Sequence, residues 1–351
     1  TSLVHGNAYP PIQEAAAAAA SGGTAWPAVN DHVIELAEEL VGRVPSVELV
    51  RFTNSGSEAT SLAVEIARTA TGRRKFVMAR GGSHGSMPEF EPAAGARADS
   101  DTLLADFGDL ASFEAVLAGH GADVACVIVE PVMGAGGVVT PPPGFLAGLV
   151  DAAHRVGALA VFDEVMTLRL AAGGRQEHEG VRPDLTAMAK IIGGGYPVGA
   201  VGGRAELMEL CNPFAPRLFH SGTFNGNPVT AAAGLASIRH LSSDAIADMD
   251  RRTERLEAGL VLAAAGHGVP VATRRAGSLL QLYLSDDVPA FSPARTDGEL
   301  VNRFHLAALN EGVFAASRGL IALSTVIDDH LVAEVVGRLD SAFAAVADAA
   351  K

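Results

Sequence analysis

Lys190 stands inside the apolar stretch DLTAMAKIIGGGYPVGAVGG (184–203), just ahead of three glycines. Lysines are rarely fully buried unless paired. One so placed either snorkels, its ammonium reaching water from a strand end, or gives up its charge. Desolvation lowers an amine's pKa below the ordinary ~10.4, and the freed amine is a nucleophile that forms imines with carbonyls. The glycines that follow let a ligand and the backbone approach closely.

Three further stretches carry chemically competent groups. In ALAVFDEVMT (158–167), Asp163 and Glu164 stand at the C-terminal end of a strand-like run. That is the edge of an open α/β sheet where ligands bind. A carboxylate aimed into such a cleft needs a cationic or protonated partner; the alternative is that Asp163 caps the segment after it. In RFTNSGSEATSLAV (51–64), Gly56 lies between a strand and a helix that Ser57 has the chemistry to cap. Free N–H groups and the positive end of a helix dipole there suit a phosphate, though a plain capped helix reads the same way. No Gly-Lys-Ser/Thr and no G-x-G-x-x-G accompanies it. HSGTFNGNP (220–228) is a turn-rich loop with Thr223, Asn225 and Asn227, weak evidence alone.

The elements that must hold these groups alternate. Strand runs are expected at 50–53, 75–79, 124–129, 158–162 and 185–189. Helical patterns lie between them, among them "EATSLAVEIARTATG" with Leu62, Ile66 and Ala70 on one face, and 141–157 with Phe145, Leu149, Ala152 and Val156 inward. Buried runs without polar alternation, separated by helices, mean a mostly parallel sheet covered by helices on both faces. From about residue 241 the pattern changes to a charged helix, strands near 279–284, and helices at about 297–311 and 330–348, which reads as a smaller α+β domain.

With 40 acidic against 26 basic residues, the net charge of −14 excludes a nucleic-acid or anionic-membrane surface, which needs clustered Lys and Arg. Two isolated cysteines, Cys126 and Cys211, make neither a disulfide scaffold nor a zinc motif, and no metal site is expected. No signal peptide or span-length apolar stretch is visible, so the expected compartment is the cytoplasm.

A phosphate cradle, a carboxylate at a strand end and an imine-forming lysine, in that order on a parallel sheet, are together the fixtures of pyridoxal 5′-phosphate. The stretches NSGSEAT, SHG, VIVEPVMGAGG, VFDEVMT, AKIIGGGYPVGAVGG and GTFNGNP resemble those of class III, fold type I pyridoxal-phosphate aminotransferases. Within that class they are similar to the branch holding glutamate-1-semialdehyde aminomutases and β-amino-acid aminotransferases. The resemblance implies an N-terminal segment over 1–40 belonging to the small domain, a large cofactor-binding domain over 41–240, and a C-terminal small domain over 241–351. It implies that Gly56 and Ser57 hold the phosphate, Asp163 pairs with the ring nitrogen, Val165 lies on one ring face and Lys190 forms the Schiff base. Thr223 would come from the second subunit of a homodimer.

Three departures accompany the resemblance. Ser83 stands where the family has an aromatic residue before His84-Gly85, so one ring face is open or covered by a neighbour such as His84. The family carries a few dozen pocket-building residues ahead of HGNAYP, which here starts at His5, so the pocket is completed from outside the sequence or built differently. VFAASRGLIALST lacks the aminomutase glutamate and carries Arg318, which resembles the carboxylate-binding arginine of β-amino-acid aminotransferases; a plain turn arginine is the alternative. Arg169 is a second candidate for a substrate carboxylate. The expected reaction is transfer of an amino group from a β-amino or related acid to a 2-oxo acid. The alternatives are an aminomutase or another outcome on the same cofactor (epimerisation, decarboxylation, carbon–carbon bond formation), and a non-catalytic scaffolding homologue.

Overall fold

The computed structural model describes residues 1–26, 28–90, 101–288 and 298–349. The chain forms two units: 1–132 with 140–242, and 133–139 with 243–351. Residues 1–40, expected with the small domain, cluster with the larger unit. That follows from α1 (Pro10–Ser21), whose Ile12 and Ala16 pack with Ala233 of that unit.

The larger unit is built on seven strands: β1 (Leu49–Thr53), β2 (Lys75–Ala79), β3 (Thr102–Ala105), β4 (Val124–Val129), β5 (Leu159–Asp163), β6 (Leu185–Ala189) and β7 (Gly199–Gly203). Their order is β1-β7-β6-β5-β4-β2-β3. Only β7 runs against its neighbours, pairing antiparallel with β1 and β6. The strands expected at 75–79, 124–129 and 185–189 form over those residues, and the other two shift by one. β7 and β3 are additional.

Every position of β4, β6 and β7 is buried, so both faces of the sheet are covered. The helices of this unit are α1, α2 (Asp31–Arg43), α3 (Gly56–Thr71), α4 (Leu110–His120), α5 (Phe145–Arg155), α6 (Arg175–Glu179), α7 (Ala205–Met208) and α8 (Pro228–His240). The α3 residues Leu62, Ala63, Ile66 and Ala67 join Phe76, Cys126, Ile128, Val161 and Val201 in one core. Ala70, expected inward, is exposed in the last turn. Cys126 is fully buried, and burial pushes its thiol up to about 12, so it stays neutral.

The second unit holds a three-stranded antiparallel sheet, β8 (Ala272–Ala276), β9 (Leu279–Tyr283) and β10 (Leu320–Ala322), with β9 central. Around it are α9 (Ser243–Gly266), α10 (Gly298–Asn310) and α11 (Asp329–Ala349). The expected start of α10 at 297 lies outside the described residues. Residues 133–139 join this unit, where the Tyr283 hydroxyl donates to the Gly137 carbonyl at 2.7 Å.

Candidate active site

Strand ends gather the candidate residues. β1, β2, β5 and β6 all deliver their C-terminal ends to one edge, and antiparallel β7 starts there. Gly56, Ser57, Ser83, His84, Asp163, Val165 and Lys190, expected from sequence, line a single cleft of about 480 Å³.

The cap of α3 is Ser55 rather than Ser57, because the helix already begins at Gly56. Ser55 Oγ accepts from Glu58 N at 3.2 Å, and Glu58 Oε2 accepts from Asn54 N at 2.8 Å. This satisfies the third N–H of the helix and leaves the first two, Gly56 and Ser57, without a backbone acceptor among the described residues. Gly56 lets the helix end lie close, since a Cβ there would come 3.1 Å from Val165 Cγ1 and 3.3 Å from Ala189 Cβ. Ser57 Oγ accepts from Ser86 N at 3.1 Å, which ties the 83–86 loop over this end.

Asp163 ends β5 at 3% exposure. Its Oδ1 accepts from Val165 N at 3.0 Å, and its Oδ2 meets His84 Nδ1 at 2.8 Å. A carboxylate only accepts, so Nδ1 carries a proton and donates it to Asp163. His84 thus meets the carboxylate through its edge. Its Nε2 is buried with no partner among the described residues. Thr60 Oγ1 donates to the His84 carbonyl and fixes the loop from the α3 side. Ser83 is exposed, and its N–H donates to the buried Glu130 Oε1 at 3.0 Å.

Next in sequence to Asp163, Glu164 takes no part in the cleft lining. It is fully buried, accepting from Gln176 N at 2.7 Å, Arg175 N at 3.0 Å and the Thr167 hydroxyl. Burial raises its pKa above the ordinary carboxylate value. Lys190 follows β6 directly with φ +52. A non-glycine residue held in that region costs on the order of 1–3 kcal/mol, and such strain concentrates at functional sites.

Other candidates stand elsewhere. Arg169 does not line the cleft; its guanidinium is 1% exposed, donates to the Thr1 carbonyl at 3.4 Å and is lowered to about 10 by burial. Arg318 belongs to the second unit, exposed in the turn before β10, where its carbonyl accepts from Gln281 Nε2 at 2.6 Å. Thr223 is exposed on a loop outside the cleft lining. That loop is pinned by Arg51, donating to His220 Nδ1 at 3.1 Å, and by Asn54 Nδ2, donating to Asn225 Oδ1 at 2.7 Å. Sequence reasoning passed over Asn54, Thr60, Glu130 and Tyr196. Glu130 stands one residue past β4, a strand-end signal like that of Asp163.

The residues present suit an aromatic aldehyde phosphate. Helix N–H groups suit a phosphate, a buried carboxylate bonded to the His84 imidazole suits a protonated nitrogen, and an amine shares the cleft. Fold and site thus define a class, a doubly covered, mostly parallel sheet with a lysine–carboxylate cleft at its carboxyl edge. The chain belongs to the class III aminotransferases, whose family model matches residues 106–343. It is 39% identical to the glutamate-1-semialdehyde 2,1-aminomutase of Myxococcus xanthus, over 97% of this chain and 84% of the relative. The ω-transaminase of Sphaerobacter thermophilus superposes with TM-score 0.93 at 34% identity, covering 99% of this chain and 85% of the other. The β-phenylalanine aminotransferase of Variovorax paradoxus gives 0.90 at 37%, covering 97% and 80%. Pyridoxal 5′-phosphate is the cofactor.

Proposed function

We propose that the enzyme transfers the amino group of a β-amino or related acid to a 2-oxo acid. The observation that carries this is one cleft holding Lys190, Asp163 and the first turn of α3. When bound, the cofactor supplies an electron sink for a carbanion. The chain's own groups do the rest. Gly56 and Ser57 N–H bind the phosphate, and Val165 packs on one ring face. The Asp163 carboxylate pairs with a protonated ring nitrogen. The Lys190 amine takes the substrate proton and returns it at a neighbouring carbon. Thr223 of a second copy completes the phosphate site in a homodimer. Arg318 grips a substrate carboxylate. The likeness to the Variovorax enzyme supports this substrate class.

A second reading, an aminomutase that keeps its intermediate, is supported by the Myxococcus relative. One experiment separates the two. Holoenzyme is given β-amino acids without acceptor, and released oxo acid is measured; an isomerised amino acid with no oxo acid would select the mutase. Hydride reduction and peptide mass analysis should place the cofactor on Lys190, and an adduct elsewhere would sink both. Arg318→Ala should weaken carboxylated donors by about 1.5–3 kcal/mol while sparing simple amines. Equal loss for both in steady-state kinetics would remove Arg318 from the pocket.

A further inference from the structure

His84 and Asp163 meet across an intervening strand. Asp163 ends β5, and His84 follows the last residue of β2 by five positions, yet β4 lies between those two strands. Neighbouring strands stand about 4.8 Å apart. The 80–86 loop therefore crosses the end of β4 to bring the imidazole to the carboxylate.

The sequence of this loop gives it little rigidity of its own. Gly81 and Gly85 sit at φ +78 and +105, and glycine is the residue least restrained by its own backbone. Its course is set by side chains from other elements. Ser57 Oγ accepts from Ser86 N, and Thr60 Oγ1 donates to the His84 carbonyl, both from α3. Glu130 Oε1 accepts from Ser83 N at 3.0 Å, and this tether comes from the crossed strand, since Glu130 is the first residue past β4. Glu130 is 5% exposed and does not line the cleft. A carboxyl group withdrawn from water is costly unless it is hydrogen-bonded, and the mechanism above gives this one no part.

We propose that Glu130 is a positioning residue for the cofactor's ring nitrogen. By holding Ser83 N it fixes the next residue, His84, whose Nδ1 donates to Asp163 and orients the carboxylate that pairs with that nitrogen. Glu130 acts only through the loop. The proposal rests on the Lys190 and Asp163 roles read above.

The test titrates the cofactor absorbance of the holoenzyme against pH. A protonated ring nitrogen lowers the pKa of the nitrogen that links Lys190 to the cofactor, because like charges repel. A displaced Asp163 weakens that effect and raises the midpoint. Glu130→Asp withdraws the acceptor by one methylene and should raise the midpoint by about one pH unit, the scale of a single lost hydrogen bond. Glu130→Gln keeps an oxygen acceptor in place and should titrate like the native enzyme. His84→Ala should raise the midpoint by itself, and adding Glu130→Asp to it should change nothing more, since both act along one path. An unmoved midpoint in Glu130→Asp or His84→Ala, an equal rise in Glu130→Gln, or additive rises in the double variant would each overturn the positioning role. Hydride reduction of the same samples keeps the two readings apart. Cofactor trapped on Lys190 leaves the midpoints to judge Glu130 alone, whereas cofactor trapped elsewhere would overturn the functional reading and the positioning role together.

Discussion

Asp163 and Glu164 are adjacent carboxylates with opposite fates. Asp163 points one oxygen at a backbone N–H and the other at His84. His84→Ala would leave that oxygen buried without its donor and should cost about 1–3 kcal/mol of stability in denaturant titration. A change within experimental error would mean that water replaces the imidazole. Glu164 is raised by desolvation, with hydrogen bonds from Thr167, Gln176 and Arg175 opposing. The folded state therefore binds the proton more tightly than the unfolded one. Its stabilising contribution is complete below the unfolded pKa of 4.5 and is lost as pH rises through the raised folded value. Relative to Glu164→Gln, the native protein should lose stability between pH 5 and pH 8. A stability difference that stays flat over that range would contradict the raised pKa.

Strands without side chains need close neighbours. β7 is GAVGG, poor in strand-forming residues, yet it lies buried between β1 and β6. At Gly199 a Cβ would overlap the Ser55 carbonyl and the Thr53 hydroxyl. Gly199→Ala should thus push β1 from β7, displace the α3 cap and cost about 1–3 kcal/mol. Gly337 makes the contrast: it lies inside α11 with open space around it, and Gly337→Ala should stabilise by about 0.5–1 kcal/mol. Thermal unfolding of the two variants should shift in opposite directions; equal shifts would mean the overlap is relieved cheaply. The β-branched and apolar runs of β2, β4 and β6 were legible from sequence because burial on both faces removes polar alternation. β7 was not, because its place depends on the space its neighbours leave.

The assembly prediction concerns Thr223, Phe219 and Phe224. These stand exposed on the loop pinned by Arg51 and Asn54, the two phenylalanines at 83% and 60%. In the proposed homodimer a second copy covers them, and each site takes its threonine from the other chain. Mixing inactive Lys190→Ala with inactive Thr223→Glu should then restore activity, since about half of randomly re-formed dimers carry one intact site. No recovery after verified exchange of subunits would mean that each chain completes its own site.

Linear order alone determined the cofactor chemistry: a glycine after a strand, a carboxylate ending a strand and a lysine ending another must share an edge when the strands run parallel. Seven of the expected residues do line one cleft for that reason. Tertiary structure decided what depends on neighbours distant in sequence. It buried Arg169, turned His84 toward Asp163 and placed residues 1–40 on the larger unit. It also packed Gly194 so closely on α8 that a Cβ there would come 2.4 Å from the Ala233 carbonyl oxygen. Burial and hydrogen-bond partners are set by packing between distant segments, and no local run of residues encodes those.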